Sequence, residues 1–325
     1  MEEAFAILIS LLASTIRVAT PLVLAALAGL FCERSGVVDI GLEGKMLAGA
    51  FAGAAAAVVS GSPWLGLCAA IGAGVALSWI HGYACITHHG NQVVSGMAIN
   101  ILVAGLAPTL AFAWFQLGGQ TPRLEQGDRF PSLILPFARP LAEHVPFLGP
   151  AYAGLVSGHN VIVYVAALLV PVSAWVLYRS RFGLRLRAVG ENPSAVDTAG
   201  LSVARLRYQA ITITGVLTGT AGAYLSTAHG AGFGRDMTAG RGYLALAALI
   251  FGKWRPVPTL LACLLFAFTD ALQVRLQGVP LPLVGTIPVQ FIQMLPYVLT
   301  VLLLAGFVGR ATAPKASGIP YVKER

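Results

Sequence analysis

One stretch of the sequence is apolar over a length that no ordinary water-soluble domain needs. Between Lys45 and Arg123 there is no aspartate, glutamate, lysine or arginine. An α-helix needs about 20 apolar residues to cross the ~30 Å hydrocarbon core of a bilayer, so this stretch alone has the length for three crossings. Shorter uncharged stretches cover 160–178, 208–234 and 256–269. The pattern predicts a polytopic membrane protein.

The composition agrees with that prediction. Hydrophobic residues make up 57% of the 325-residue chain and charged residues only 10%, whereas a soluble domain carries roughly a quarter charged residues. The net charge of +8 would suggest nucleic acid in a soluble protein. Here basic loops on the cytoplasmic side of a membrane explain the charge, and no nucleic-acid partner is expected.

Breaks between the apolar runs predict an all-α fold, a polytopic transmembrane helix bundle of about 9 spans (8–10), with one or two broken or re-entrant segments. The expected spans are 5–31, 42–60, 64–87, 92–117, 158–179, 206–228, 238–252, 256–277 and 287–309.

The basic residues predict the orientation of the bundle. Arginines in cytoplasmic loops follow the positive-inside rule. Six of them lie between the fifth and sixth expected spans or at the ends that face this loop: Arg179, Arg181, Arg185, Arg187, Arg205 and Arg207. We therefore expect one transmembrane domain over 1–325 with its N-terminus outside. Its parts outside the bilayer are an extracytoplasmic loop (118–158), a cytoplasmic coupling segment (180–206) and a cytoplasmic tail (310–325).

Two segments do not have the pattern of ordinary spans. The first, 36–44, is glycine-rich and contains Asp39, Gly41, Glu43 and Gly44 between apolar runs. The second, 237–252, is short for a crossing. Broken helices persist in membranes only where protein or a water-filled cavity satisfies their backbone, and in transporters they mark the substrate path. The alternative is a plain loop and a short tilted helix.

Close helix packing is indicated by two GxxxG patterns. They are Gly49 with Gly53 and Gly215 with Gly219. Small residues let helix backbones approach each other where lipid provides no hydrophobic drive for association.

The sequence contains no catalytic motif. The spacing of a phosphate-binding loop is not met, because Lys45 is followed by Met46 and Asp39 stands where the first glycine should be. His81, His88 and His89 lack carboxylate or thiolate neighbours, so we interpret them as side chains at a cytoplasmic turn and expect no metal site. We expect a protein that is not an enzyme.

Uncharged polar side chains are the candidates for lining a substrate path. Amides and hydroxyls can hydrogen-bond a neutral polar solute without desolvation of a charge. The alternative role is hydrogen bonding between helices. The candidates are Asn91, Gln92, Ser95, Asn100, Gln273, Gln290 and Gln293.

Ionisable residues at bilayer depth would favour an ion-coupled carrier instead. The candidates are Arg17, Asp270 and Arg275, which are few for a proton relay.

A short helix is predicted in the middle of the cytoplasmic segment. Asn192 is a suitable N-cap, Pro193 fits the first turn, and Gly200 can end a helix of about two turns. Such a helix between two spans suits docking of a cytosolic partner, and a simple connector is the alternative.

In these segments the sequence resembles the permease subunits of ABC importers of the ribose and branched-chain amino acid type. Within that family it is most similar to the nucleoside-importer branch. Four blocks occur in the family's order: 33–44, 91–96, 190–200 and 237–254. One departure is Asp39, where the family usually has asparagine. An added carboxylate there is expected to alter local packing or solute preference.

The resemblance implies the partners and the location. These are an ATPase subunit with two nucleotide-binding halves, a second homologous permease, an extracytoplasmic solute-binding lipoprotein and the lipids of a bacterial plasma (inner) membrane. It implies that this chain binds no cofactor and that ATP and Mg bind the ATPase. It also implies an ATPase-coupling role for Gly190, Glu191, Asn192, Pro193, Ala195, Asp197, Ala199 and Gly200.

Three functions follow from these observations. The favoured one is a subunit of an ATP-driven importer that forms a path for nucleosides with a second permease. The second keeps this architecture for a simple sugar such as ribose or another small polar solute. The third is a stand-alone carrier driven by an ion gradient.

Overall fold

The structure is a computed structural model that describes residues 2–145, 147–276, 280–281, 285–286, 291, 294, 298, 301 and 312–323. Helices dominate these residues, as the all-α prediction requires. The α-helices are α1 (Glu2–Arg34), α2 (Leu42–Ser60), α3 (Pro63–Gly82), α4 (Gln92–Phe115), α5 (Ala138–His144), α6 (Leu148–Ala151), α7 (Val161–Arg179), α8 (Arg181–Glu191), α9 (Pro193–Thr198), α10 (Val203–Ala223), α11 (Arg241–Phe251) and α12 (Pro256–Leu276).

Shorter elements extend or connect these helices. π-helical turns continue α3, α6 and α10 over Tyr83–Thr87, Tyr152–Val156 and Tyr224–His229, and a 3-10 turn covers Gln126–Asp128. Two antiparallel ladders of two residues each are also present: β1 (Ser132–Leu133) with β2 (His159–Asn160), and β3 (Pro280–Leu281) with β4 (Gly285–Thr286).

Six helices of the described residues are long and apolar enough to cross a membrane. They are Phe5–Arg34, Leu42–Ser60, Pro63–Thr87, Gln92–Phe115, Val161–Arg179 and Pro256–Leu276. The chain is therefore a multi-pass membrane protein, but the expected number of about 9 spans is not confirmed.

The three remaining expected spans have different outcomes. The expected span 206–228 corresponds to α10 and its π-helical turn, which are less apolar than the six. The expected span 238–252 corresponds to α11, which has only 11 residues. The expected span 287–309 lies, apart from four isolated positions, outside the described residues.

The core of the bundle surrounds α1. Residues 22–28 of α1 are all buried, and α1 packs against α7, α10, α11 and α12. A helix that is apolar on all sides is suited to such a central position.

Glycines bring α2, α3 and α10 into close contact. A Cβ atom at Gly49 would lie 3.0 Å from the Cα of Gly219, and one at Gly74 would lie 2.3 Å from the carbonyl oxygen of Gly215. The two GxxxG patterns therefore meet each other, as expected for helices that pack through their backbones.

The loop between α4 and α7 folds back on the bundle. The amide of Thr121 donates to the carbonyl of Phe233 (3.2 Å), and that of Phe130 donates to Thr227 (3.0 Å). These bonds attach the expected extracytoplasmic loop to the segment that follows α10.

Candidate translocation and coupling sites

The segment between α1 and α2 contains a buried ion pair. Lys45 Nζ donates to Asp39 Oδ2, and both side chains are fully buried. Asp39 Oδ1 also accepts a hydrogen bond from the Gly41 amide at 3.0 Å. Buried charges are tolerated only when they are paired and hydrogen-bonded, and this pair meets both conditions.

A histidine from α3 also contacts the segment between α1 and α2. His81 is fully buried, and its Nε2 lies 3.1 Å from the Val38 carbonyl oxygen and 4.0 Å from Asp39 Oδ1. Its Nδ1 lies 3.0 Å from Ser95 Oγ. The interpretation of His81 as a side chain at a cytoplasmic turn was wrong, because the π-helical turn after α3 begins beyond it and leaves the ring inside the bundle.

Two amides of α4 complete these contacts. Gln92 Oε1 accepts a hydrogen bond from the Val38 amide (2.6 Å). Asn100 Oδ1 accepts from the Gly44 amide (2.8 Å), and its Nδ2 donates to the Ile40 carbonyl (3.0 Å). We call the set that holds residues 38–45 in this way the polar clamp: Asp39, Lys45, His81, Gln92, Ser95 and Asn100.

Glycines allow α4 to approach the clamped segment. A Cβ atom at Gly44 would lie 2.9 Å from the Cα of Asn100, and one at Gly96 would lie 2.8 Å from the amide nitrogen of Gly41. Real Cβ atoms do not approach other atoms so closely, so these positions require glycine.

Glu43 connects the clamped segment to α11. Its two carboxylate oxygens accept hydrogen bonds from the amides of Gly240 (2.8 Å) and Gly242 (2.6 Å) at the start of α11. The positive end of the helix dipole favours a carboxylate at this position. The two segments that the sequence marks as unusual therefore contact each other.

The remaining path candidates lie elsewhere. Asn91 is exposed and caps α4 through the amides of Val93 and Val94. Gln273 is half-buried on α12, whose main neighbours are α1, α7 and α11, while Gln290 and Gln293 lie outside the described residues. The bonds of Gln92 and Asn100 join α4 to residues 38–44, and a role of these two side chains in a substrate path stays a prediction.

The sequence analysis did not single out Lys45, which the structure buries in an ion pair with Asp39. A lysine that opens a long apolar run needs a counter-ion, and Asp39, six positions earlier, was available as the partner. That signal could have predicted the ion pair.

The coupling segment has an anchored side and an exposed side. Asn192 Oδ1 accepts a hydrogen bond from the Ala195 amide at 3.1 Å and so caps α9. Val196 is buried with Val189, Val203 and Leu206. The exposed residues of α9 and its C-terminal end are Ser194, Ala195, Thr198 and Ala199.

The C-terminal tail binds both the coupling segment and the end of α1. The Ala316 amide donates to the Gly190 carbonyl (2.8 Å), and the Gly318 amide donates to the Gly36 carbonyl (3.1 Å). Lys323 Nζ lies 3.3 Å from Asp197 Oδ2.

Gly190 is also close to the backbone of α1. A Cβ atom there would lie 2.3 Å from the Arg34 carbonyl oxygen. The coupling segment, the tail and the beginning of the clamped segment therefore meet at one place.

A buried arginine bonds to two of the segments that meet beside Gly190. Arg207 is 1% exposed, and it donates from Nε to the Ser35 carbonyl (3.2 Å) and from Nη2 to the Ile319 carbonyl (3.3 Å). Arg207, which the sequence analysis groups with the basic residues of the cytoplasmic segment, is therefore buried. It connects α10 to the end of α1 and to the C-terminal tail.

The described residues contain no group of three potential metal ligands. Their four cysteines, Cys32, Cys68, Cys85 and Cys263, are free.

Comparison with known proteins identifies the family. Residues 11–308 match the family model described as the permease component of the branched-chain amino acid transport system. The chain belongs to this family. Permease components are transport subunits and not enzymes.

Three relatives match over almost their whole length. The guanosine ABC transporter permease protein NupQ of Bacillus subtilis is 40% identical over 95% of each chain. The nucleoside ABC transporter permease protein NupC of Lactococcus lactis is 37% identical over 94% of each chain. The putative glucose ABC transporter permease protein TsgC13 of Haloferax volcanii is 37% identical over 91% of this chain and 90% of its own. The Bacillus guanosine transporter permease NupP is also similar, at 28% identity over 77% of this chain and 70% of its own.

Proposed function

We propose that this chain is one of two permease subunits of an ATP-driven nucleoside importer in a bacterial plasma membrane. The observation that carries the proposal is the full-length similarity to permeases of guanosine and nucleoside transporters. NupP and NupQ are both guanosine transporter permeases, which supports a second permease as a partner. An ATPase with two nucleotide-binding halves and a solute-binding lipoprotein complete the proposed complex.

The geometry of α9 supports the proposed contact with the ATPase. The helix is fixed to the permease by Val196 and presents small side chains to the outside, including Ala195 and Ala199. Small residues allow a helix to enter a groove deeply. In this arrangement residues 180–206 lie in the cytoplasm and the N-terminus lies outside.

A simple sugar is the second candidate solute. The similarity to a putative glucose permease at 37% identity favours it as the alternative. An ion-coupled carrier has less support, because Asp270 already has a cation, Arg241, 4.0 Å away, and Arg275 donates to Ser10 Oγ.

Uptake by the reconstituted complex tests the solute. Vesicles that contain both permeases and the ATPase, with the binding protein added, are offered labelled guanosine, adenosine, uridine, ribose and glucose. We expect ATP-dependent uptake of the nucleosides. Uptake of a sugar without any nucleoside would replace the proposal with its alternative.

A substitution on α9 tests the coupling role. Ala195→Trp should overfill the contact with the ATPase and uncouple ATP hydrolysis from transport, while the complex still assembles. The control is Leu184→Trp on α8, where the side chain is already 62% exposed. If Ala195→Trp kept wild-type transport and wild-type solute-stimulated ATPase activity, α9 would be a simple connector and the coupling role would be refuted.

Single cysteines test the orientation. On a cysteine-free background, Gln126→Cys and Ser194→Cys should react with an impermeant thiol reagent from opposite sides of the membrane, because both positions are exposed. Labelling from the same side would refute the proposed topology.

A further inference from the structure

A cleft lies between α1, α7 and α12, away from the polar clamp and the coupling segment. Its volume is about 310 Å³. Most of its lining is aliphatic, with Ile16 and Val23 from α1, Ala167 from α7 and Leu264 from α12. It reaches the surface at Val156, which is 47% exposed. Because these helices span the membrane, the cleft is an apolar groove beside lipid.

A histidine with an unused nitrogen lies in the lining. His159 is only 3% exposed, and its Nε2 lies 3.1 Å from the Leu155 carbonyl oxygen. Its Nδ1 is buried and has no hydrogen-bond partner among the described residues. A buried polar atom without a partner is costly, so this atom indicates a ligand with a polar group.

The helix that follows His159 indicates its depth in the membrane. α7 has 19 residues, which at 1.5 Å per residue span about 28 Å, close to the ~30 Å hydrocarbon core. Its other end, Arg179, begins the basic segment. His159 therefore lies at the opposite boundary of the hydrocarbon, where lipid headgroups begin.

A positive charge stands beside the groove at this level. Arg17 follows Ile16 in α1 and is exposed, and its charge acts on the His159 ring. Among the described residues it donates only to Ser14 Oγ (3.1 Å), and no carboxylate lies within 4.0 Å of it. The sequence alone placed Arg17 within a span as a candidate for ion coupling.

We propose that this groove binds an anionic phospholipid, with phosphatidylglycerol as its ligand. An acyl chain lies along the aliphatic walls, and the headgroup lies against His159 and Arg17. When the ring is neutral and Nε2 carries the proton, Nδ1 accepts a hydrogen bond from a glycerol hydroxyl. When the ring is protonated, Nδ1 donates to the phosphate. A helix of a second permease would fill the walls but leave Arg17 without an anion.

Native mass spectrometry of the complete transporter tests the site. The complex is purified in mild detergent with equal amounts of phosphatidylglycerol and phosphatidylethanolamine, and retained lipids are counted. Ala167→Trp should block the groove and reduce retained phosphatidylglycerol about tenfold, as a loss of 1.4 kcal/mol in affinity would. Its matched control is Leu168→Trp, at the adjacent exposed position outside the lining, which should keep the lipid.

Two further variants test the headgroup contacts. Arg17→Gln should abolish the preference for phosphatidylglycerol over phosphatidylethanolamine, whereas the control Arg275→Gln should preserve it. His159→Phe keeps a ring of similar size but removes Nδ1, and it should also weaken retention. The proposal is overturned if the wild type retains no phosphatidylglycerol, if Ala167→Trp and Leu168→Trp retain equal amounts, or if Arg17→Gln leaves the preference unchanged.

Discussion

The polar clamp and α9, the proposed coupling helix, contain similar residue types in opposite environments. Asn100, Asp39 and Gly41 lie in or beside the clamp, and Asn192, Asp197 and Gly200 lie in or beside α9. In the clamp, Asp39 and Lys45 are fully buried, whereas in α9 only Val196 is buried and Ala195 is exposed. The first segment is fixed by its own chain, and the second leaves most of its surface exposed.

The difference follows from the availability of water. In the bundle a polar group has no water to replace a lost partner. Most polar groups of the clamp accordingly bond to the protein, and Gln92 Nε2 is the clamp atom without a hydrogen-bond partner among the described residues. At the surface water provides that replacement, so one cap and one buried valine are enough to place α9. The clamp is therefore expected to be rigid and α9 to be ordered mainly by its neighbours.

The two regions are also connected physically. The tail contacts Gly36 through Gly318 and Gly190 through Ala316, and Arg207 contacts Ser35 and Ile319. A displacement of the coupling segment would therefore act first on the end of α1, directly before the clamp.

The largest effect is expected from breaking the buried ion pair. Asp39→Asn leaves the Lys45 charge buried without a counter-ion and should cost about 3–5 kcal/mol of stability. The double variant Asp39→Asn with Lys45→Met should recover most of that loss, because no charge then remains buried. Thermal unfolding of the purified protein in detergent measures both.

The control for the Asp39 and Lys45 variants comes from α9. Asp197→Asn removes a carboxylate whose lysine partner is 70% exposed, so its effect should stay within about 1 kcal/mol. If Asp39→Asn were as mild as Asp197→Asn, the two regions would not differ in the way we describe.

A smaller loss of stability is expected from a substitution at Glu43. Glu43→Gln replaces a charged acceptor of two amides and should cost about 1.5–3 kcal/mol, the range for hydrogen bonds to charged groups. Glu191→Gln is the matched control, since Glu191 is exposed, and a surface change of this kind should cost less than about 0.5 kcal/mol. Equal melting temperatures for the two variants would show that Glu43 does not stabilise the start of α11.

Loss of the α9 cap should have a local effect. Asn192→Ala removes the bond to the Ala195 amide and should destabilise α9 by about 1 kcal/mol. Hydrogen exchange in residues 193–199 should become faster while exchange in α2 stays unchanged, and Asn192→Asp should restore protection. Faster exchange in both helices would mean that α9 and the clamp unfold together.

The smallest effect is expected at the end of the tail. Lys323→Gln removes an exposed ion pair with Asp197 and should cost at most about 1 kcal/mol, with a difference from wild type that disappears at high salt. Protection of residues 316–319 from hydrogen exchange is the measurement, and Lys315→Gln, at another exposed lysine of the tail, is the control. A large loss that salt does not affect would assign the tail a stronger role in joining the two regions.

Much of the architecture could be predicted from the sequence, because its signals are local. Membrane spans are runs of about 20 apolar residues, and the cap of α9 lies within three residues of the amide it bonds. The two GxxxG patterns predicted close helix packing, although the sequence did not show that Gly49 would meet Gly219. Residues 287–309, the ninth expected span, lie almost wholly outside the described part of the chain.

The sequence by itself determined that this protein is a helical membrane protein with a capped helix between two spans, and its motifs determined the family it resembles. Only the tertiary structure decided which polar residues meet. Asn100 bonds to residues more than 50 positions away, and Glu43 bonds to amides almost 200 positions away. Such pairs depend on how the helices pack, and the spacing of residues along the chain does not predict that packing. The physical demand that most buried polar groups find a partner is general, but the fold alone selects the partner.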